Sequence, residues 1–219
     1  MHQRVSATSE VLAAGSAVVG ICRRLYDRGL IAGSDGNVSV RLDDGTVLVT
    51  PSDASKAALD STNLVRVSID GAVLSGGRPS SEIRMHLRIY QRRADVRAVV
   101  HAHPPVATGF ATSGQSFMTP VLPEVILTLG DVPVVPYATP GTSALADSLE
   151  PYLTAGQDAF LLANHGATTV GATLELAHRR MESLEHAARI LLVARVLGGP
   201  NELSAADVLT LRALREEAQ

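Results

Sequence analysis

Two histidines one residue apart, His101 and His103, are the first residues whose types and spacing could do chemistry. The approach to them, Asp95-Val96-Arg97-Ala98-Val99-Val100, alternates as a strand does. Side chains two apart on a strand share a face, about 6–7 Å apart at the backbone, so both imidazoles aim at one point. That suits two corners of a tetrahedral metal site. It also suits a hydrogen-bonded pair in a core or on a surface. Pro104 and Pro105 cannot continue a central strand and end it just past the second histidine. A metal reading needs a third ligand, an acid/base group and a substrate cradle.

The chain offers a candidate for each. His165 ends a short apolar run, residues 158–163, between Asn164 and Gly166. Side chains at strand ends often carry function, although a hydrogen-bonded turn histidine would look the same. Three neutral imidazoles leave one position open on a zinc ion, the layout of a catalytic rather than a structural site. Glu82 follows Ser80-Ser81 at the start of a helical stretch. It is the candidate general base, or a first-turn carboxylate that complements the helix dipole. His86, four residues on, could support Glu82 from behind but reads first as a packing or capping residue, and His178 and His186, among Arg179, Arg180, Glu182 and Glu185, read as surface or interface. Three loops rich in hydroxyls and small residues, Gly36-Asn37, Thr50-Pro51-Ser52 and Ser80-Ser81, could cradle a phosphate. The Gly-rich nucleotide motifs are absent, which makes ATP and NAD poor candidates.

The elements that must position these residues alternate between helices and hairpins. Residues 9–28 carry apolar side chains at helical spacing, with Thr8 or Ser9 to cap and Gly29 to stop. Residues 38–42 and 46–50 read as a hairpin across Asp43-Asp44-Gly45, and residues 63–69 turn back at Asp70-Gly71 into 73–74. Helices are expected over 82–92, 106–113, 143–153 and 173–197, with an amphipathic tail helix over 204–217. Residues 121–129 fit helix or strand; 132–137, 158–163 and 167–171 read as strands. The pattern predicts one α/β domain over residues 1–219, with a largely antiparallel sheet.

Composition excludes several classes. Aromatics are 3% with no Trp, and the net charge is −3, which argues against a nucleic-acid platform. No apolar run approaches the ~18 residues of a membrane span. The start, Met1-His2-Gln3-Arg4, lacks a signal-peptide layout, so the expectation is a cytoplasmic protein. The single cysteine, Cys22, sits in an apolar helical pattern and reads as a small buried hydrophobe.

Taken in order, Gly36-Asn37-Val38-Ser39, Thr50-Pro51-Ser52, Pro79-Ser80-Ser81-Glu82, Ala98-Val99-Val100-His101-Ala102-His103, Pro136-Tyr137-Ala138-Thr139-Pro140-Gly141-Thr142 and Asn164-His165-Gly166 form an ordered set. With that set, over roughly residues 9–197, the chain resembles the class II aldolase/adducin-head family. The resemblance implies a mainly antiparallel central sheet between helical layers, assembled as a homotetramer with active sites at subunit interfaces. It implies His101, His103 and His165 as ligands of Zn²⁺, with Mn²⁺ or Co²⁺ as other divalent options. It implies Glu82 as acid/base, and Gly36, Asn37, Thr50, Ser52, Ser80 and Ser81 as the phosphate site of a sugar phosphate. The expected reaction is cleavage of a ketose 1-phosphate to dihydroxyacetone phosphate and a small aldehyde through an enediolate. A phosphosugar epimerase, dehydratase or decarboxylase on the same site is the alternative, and a non-catalytic adducin-like interaction domain a third reading. Fuculose-phosphate aldolase carries a tyrosine proton donor where Pro123-Glu124 stand here, and its C-terminal tyrosine has no counterpart. Glu124 is therefore either a replacement acid or a structural residue.

Overall fold

The computed structural model describes residues 2–115, 117 and 119–217. Its centre is an eight-stranded sheet in the order β4-β3-β2-β1-β5-β8-β7-β6. The strands are β1 (Asn37–Arg41), β2 (Val47–Val49), β3 (Val65–Val67), β4 (Val73–Ser75), β5 (Ala98–Ala102), β6 (Val134–Val135), β7 (Ala159–Leu162) and β8 (Gly166–Gly171). All neighbours pair antiparallel except β6 with β7. This is the predicted fold: one domain with a mainly antiparallel sheet flanked by helices.

Alternation along the central strands splits the core into two layers. Val38, Val40, Val100 and Ala102 face one layer, packed with α1 (His2–Asp27), α3 (Pro105–Ser113) and α7 (Leu174–Val196). Val99, Val170, Phe160 and Leu162 face the other, packed with α2 (Ile83–Arg92), α5 (Ser143–Ser148) and α6 (Glu150–Thr154). By the same parity, Asn37, Ser39, His101 and Thr168 lie on the α2 side. The register aligns Asn37 of β1 with His101 of β5, and His101 with Thr168 of β8. A single rung across three central strands therefore carries the polar residues of the site.

Several elements depart from the sequence expectation. The first helix begins at His2 rather than residue 9. The stretch 143–153 divides into α5 and α6. Pro151 has no N–H to continue the ladder and its ring crowds the preceding turn, so one helix ends and another begins with Pro151 in its first turn. Residues 121–129 resolve as helix α4 (Pro123–Thr128), started by its own proline. The tail helix, α8 (Ala205–Glu217), is pinned by a buried carboxylate. Asp158, at the entry to β7, receives Arg93 at 2.9 Å, Arg180 at 2.7 Å and Arg215 of α8 at 2.8 Å.

The polar face predicted for α7 is in large part interior. His178, Arg180 and Glu185 are buried and Glu182 is half-buried, while His186 is exposed as expected, as is Arg179. Glu185 accepts from Val106 N at 3.0 Å and Ala107 N at 2.9 Å. These are orphan donors at the start of α3, so α7 fixes how the chain leaves the His101–His103 segment. Cys22 is buried as expected, and burial pushes its thiol up to about 12.

Candidate active site

His101 is the last but one residue of β5 and is fully buried. Its Nδ1 faces the Ala167 carbonyl at 2.9 Å and the Thr168 hydroxyl at 3.1 Å. A carbonyl only accepts, so Nδ1 carries a proton, and Nε2 is the nitrogen turned to Glu82 and the other histidines. His103 lies just past the strand, with its backbone N–H donated to Leu30 O at 3.0 Å. Its Nε2 comes within 3.2 Å of His101 Nε2, and its Nδ1 lies 3.5 Å from Asp35. His165 comes from the three-residue turn between β7 and β8. Asn164 before it takes the left-handed conformation at φ 56°, which an asparagine accepts more readily than most residues.

Two glycines make room. A Cβ on Gly166 would stand 2.5 Å from His103 Cδ2 and 2.6 Å from the Ala102 carbonyl oxygen. Gly36, at φ +69°, lies against the His101 carbonyl, which a Cβ would approach to 2.8 Å. The histidines can converge because both flanking positions lack a side chain.

Glu82 stands at the N-cap of α2, one position before the helical residues and not inside the first turn. Its carboxylate does not cap the helix; Ser80 Oγ instead accepts from Glu82 N at 3.3 Å. The carboxylate turns to the histidines, with Oε2 3.1 Å from His101 Nε2 and Oε1 3.2 Å from His165 Nε2. Asn37 Nδ2 donates to Oε2 at 2.8 Å, while Oε1 is buried without a hydrogen-bond donor. Burial alone would raise this carboxyl; the histidines and the Asn37 amide overcome it and hold the group well below the usual carboxylate range. Burial, joined by the charge of His101, brings His165 down to about 4. Burial likewise lowers His103, against the pull of Asp35. The two rings are therefore neutral at physiological pH, the state in which imidazole ligates a metal.

The donor set fits a divalent cation. One nitrogen from each of His101, His103 and His165 lies within 4.8 Å of the others. Tetrahedral ligands at 2.0–2.1 Å from zinc are roughly 3.3 Å apart, close to the 3.2 Å between the His101 and His103 nitrogens. The Asp35 carboxylate behind His103 and the Ala167 carbonyl behind His101 are the outer partners that orient such ligands.

A cavity of about 270 Å³ opens beside the histidines, and the predicted cradle lines it. Gly36, Asn37, Ser52, Ser80, Ser81 and Glu82 all contribute, drawn together where Ser52 N bonds Arg78 O and Ser80 N bonds Thr50 O, both at 3.1 Å. Three of the predicted site residues are not on its wall: His101, which is fully buried, Thr50 and Glu124. Thr50 is fully buried with Val38 N–H donating to its hydroxyl at 3.3 Å, because β2 still runs beside β1 there and the side chain faces the sheet. Glu124 is exposed at the start of α4 and does not reach the cavity within one chain, because Pro123 starts a helix there that aims it outward.

The sequence reading missed the cations and the support. Lys56 and Arg78 both line the cavity. Lys56 is buried, its ammonium bonded to Ser34 O at 2.8 Å and Ala54 O at 2.9 Å, so it ties two cradle loops together. In sequence it is one lysine in a polar loop, a pattern that usually means solvent. His86 is fully buried and bonds Asn37 and Ser39, so it is part of the site's framework, the supporting role that the sequence placed second to packing or capping.

Fold and site together define a class of metal-dependent enzymes, and the comparisons agree. The chain belongs to the Class II Aldolase and Adducin N-terminal domain family, whose model matches residues 16–192. It is 38% identical over 184 residues to a 3-oxo-tetronate 4-phosphate decarboxylase of Pectobacterium atrosepticum, covering 82% of this chain and 84% of that one. It is 33% identical over 172 residues to an L-fuculose phosphate aldolase of Methanococcus maripaludis, covering 78% and 92%. Among solved structures, YgbL of Escherichia coli superposes with a TM-score of 0.86 at 34% identity, over 92% of this chain and 99% of that one.

Proposed function

We propose that this chain is a zinc-dependent decarboxylase of a 3-oxo-tetronate 4-phosphate, yielding dihydroxyacetone phosphate through its enediolate. A 3-oxo acid loses CO₂ when the C1–C2 bond breaks and its electron pair moves into an enediolate spanning C2 and C3. A proton then adds at C2. The metal, when bound by His101, His103 and His165, supplies Lewis-acid polarisation of the keto oxygen.

The residues divide the remaining work. Gly36, Asn37, Ser52, Ser80 and Ser81 line the phosphate end, with Lys56 and Arg78 supplying positive charge. Glu82 moves the proton. Its Oε2 is engaged by Asn37, and Oε1 is the oxygen left without a donor, facing His165. An anionic substrate beside it raises its proton affinity, since like charges in one site favour the neutral carboxyl. Oε1 takes a proton from solvent in this state and delivers it to C2 once CO₂ has left.

One observation carries the choice between reactions: among the described cavity-lining residues, Glu82 is the carboxylate that meets two of the three histidines. Decarboxylation needs a single proton delivered after the bond breaks. Retro-aldol cleavage needs a second group to take the proton from the hydroxyl, and Glu124, the candidate for it, stands outside this cavity. The greater identity to the decarboxylase than to the aldolase supports the same choice. Retro-aldol cleavage of a ketose 1-phosphate, which shares the enediolate, is the second reading. It carries the resemblance to the fuculose-phosphate aldolase.

The test is to incubate the zinc-loaded chain with 3-oxo-tetronate 4-phosphate and measure CO₂ and dihydroxyacetone phosphate. Equal amounts of both are expected. A parallel incubation of dihydroxyacetone phosphate with small aldehydes should give no condensation product. Condensation without CO₂ release would replace the decarboxylase reading with the aldolase one.

A further inference from the structure

Behind Glu82 runs a line of buried polar groups from sheet to helix. Asn37 and Ser39 are two apart on β1 and share a face; His86 and Tyr90 are four apart on α2 and share a face. The two pairs meet. His86 Nε2 bonds Asn37 Oδ1, His86 Nδ1 lies 2.7 Å from Ser39 Oγ, and Ser39 Oγ lies 2.8 Å from Tyr90 Oη. Ser39 and His86 are fully buried, Tyr90 is 2% exposed and Asn37 5%.

The direction of every hydrogen in this line follows from its first member. A carboxylate only accepts, so the Asn37 atom 2.8 Å from Glu82 is the NH₂. The Asn37 carbonyl oxygen then faces His86 Nε2 and can only accept, so Nε2 carries a proton. Burial, with the charge of His101, brings His86 down to about 3, so the ring is neutral and has a single N–H. Nδ1 is therefore bare and accepts from the Ser39 hydroxyl. With its hydrogen so used, Ser39 Oγ accepts from Tyr90 O–H, and Tyr90 Oη in turn takes the Val99 backbone N–H. The opposite polarity would turn the Asn37 carbonyl against the Glu82 carboxylate, two acceptors at 2.8 Å.

We propose that His86 is the positioning residue of this site: as the Nε2–H tautomer, with its bare Nδ1 engaged by Ser39, it holds the Asn37 amide with its NH₂ on Glu82 Oε2. The two oxygens of Glu82 thereby receive separate duties. Oε2 is clamped, and Oε1 is kept free of donors for the substrate. Without His86 the Asn37 amide can rotate, its carbonyl can oppose Oε2, and the carboxylate loses its fixed facing. His86 touches neither substrate nor histidine cluster; it acts through Asn37. The kinetic part of this inference rests on Glu82 being the acid/base of the proposed reaction, whereas the tautomer does not.

The experiment is ¹⁵N NMR of the histidine rings in the full-length, zinc-loaded protein, with His86 assigned by its loss in His86→Gln. The expected spectrum has a bare Nδ1 and a protonated Nε2 on His86, unchanged from pH 6 to 9. Ser39→Ala, which removes the donor to Nδ1 without touching Glu82, should leave Nε2 protonated, because the Asn37 carbonyl fixed by Glu82 still accepts from it. His86→Phe should lower kcat at least tenfold with KM within threefold. His86→Gln, whose amide N–H can still serve the Asn37 carbonyl, should recover most of that loss. A ring protonated at Nδ1 in wild type or in Ser39→Ala, or wild-type kcat in His86→Phe, would overturn the proposal. Should His86→Phe not fold, the wild-type and Ser39→Ala spectra decide the matter. A wild-type protein inactive on both substrates removes the reaction reading alone, and the spectra still judge the positioning claim.

Discussion

Gly166→Ala is the smallest change that should separate the fold from the site. Gly166 has an ordinary negative-side backbone conformation, so the methyl group brings no torsional strain and the effect is steric. The new Cβ would lie 2.5 Å from His103 Cδ2 and 2.6 Å from the Ala102 oxygen, where ordinary contact begins at 3.4 Å. Both must give way, the ring by about 0.9 Å and the carbonyl by about 0.8 Å. Ala102 is fully buried and paired to Ala167 across β5 and β8, so it resists. Overpacking of this kind costs about 1–3 kcal/mol. At about 2–4 °C per kcal/mol for a chain of this size, apo-protein Tm should fall by roughly 2–12 °C. His103 is 27% exposed at its side chain and is the freer partner. A ring moved by most of an ångström no longer faces His101 Nε2, and metal affinity should drop about 10–100-fold, as for loss of an orienting partner. Competitive chelator titration gives the affinity and calorimetry of the apo protein gives Tm. Wild-type values for both would refute the argument that this glycine exists to admit the His103 ring.

Other perturbations test separate parts. Glu82→Gln should retain metal, measured by elemental analysis after dialysis, and lose at least 100-fold in kcat, because an amide cannot shuttle the proton; near-normal turnover would remove Glu82 from the mechanism. Asp158→Asn leaves three guanidiniums converging on a neutral group that is 7% exposed, and should cost about 3–5 kcal/mol by denaturant unfolding. Cys22 should resist thiol reagents in the native protein at pH 8: burial disfavours the thiolate and raises its pKa to about 12, so only ~1 in 10,000 is ionised until unfolding restores reactivity. Chelation should lower the Tm of wild type, because the metal binds the folded chain and not the unfolded one.

The parts of this structure that were legible in the sequence are those with a local signature. The β1–β2 hairpin shows in its alternation around Asp43-Asp44-Gly45, and the His101–His103 pair in its spacing before two prolines. His165 shows because a short apolar run ends on it. What was hidden depends on register. His86 looked like one more residue on a helix face, because its partner Asn37 is 49 positions away and reaches it only when β1 lies under α2. Glu185 and Arg180 sit among charges that read as surface; their partners include backbone groups of α3 and β8, which carry no sequence label, and for Arg180 the distant Asp158. Thr50 was placed by its motif with Ser52, but two residues along a strand end separate a side chain in the cavity wall from one inside the sheet.

The rung through Asn37, His101 and Thr168 also orders events in time. His165 lies 62 positions after His103, so during synthesis the three-nitrogen cage cannot close until the β7–β8 turn has been made. The pairs that bring it together, β1 with β5 and β5 with β8, are non-local, the kind of contact that forms late and slowly. A metal ion therefore cannot trap a half-made chain through all three ligands. Its whole stabilisation falls on the finished sheet, as a reward for completion rather than a nucleus for folding.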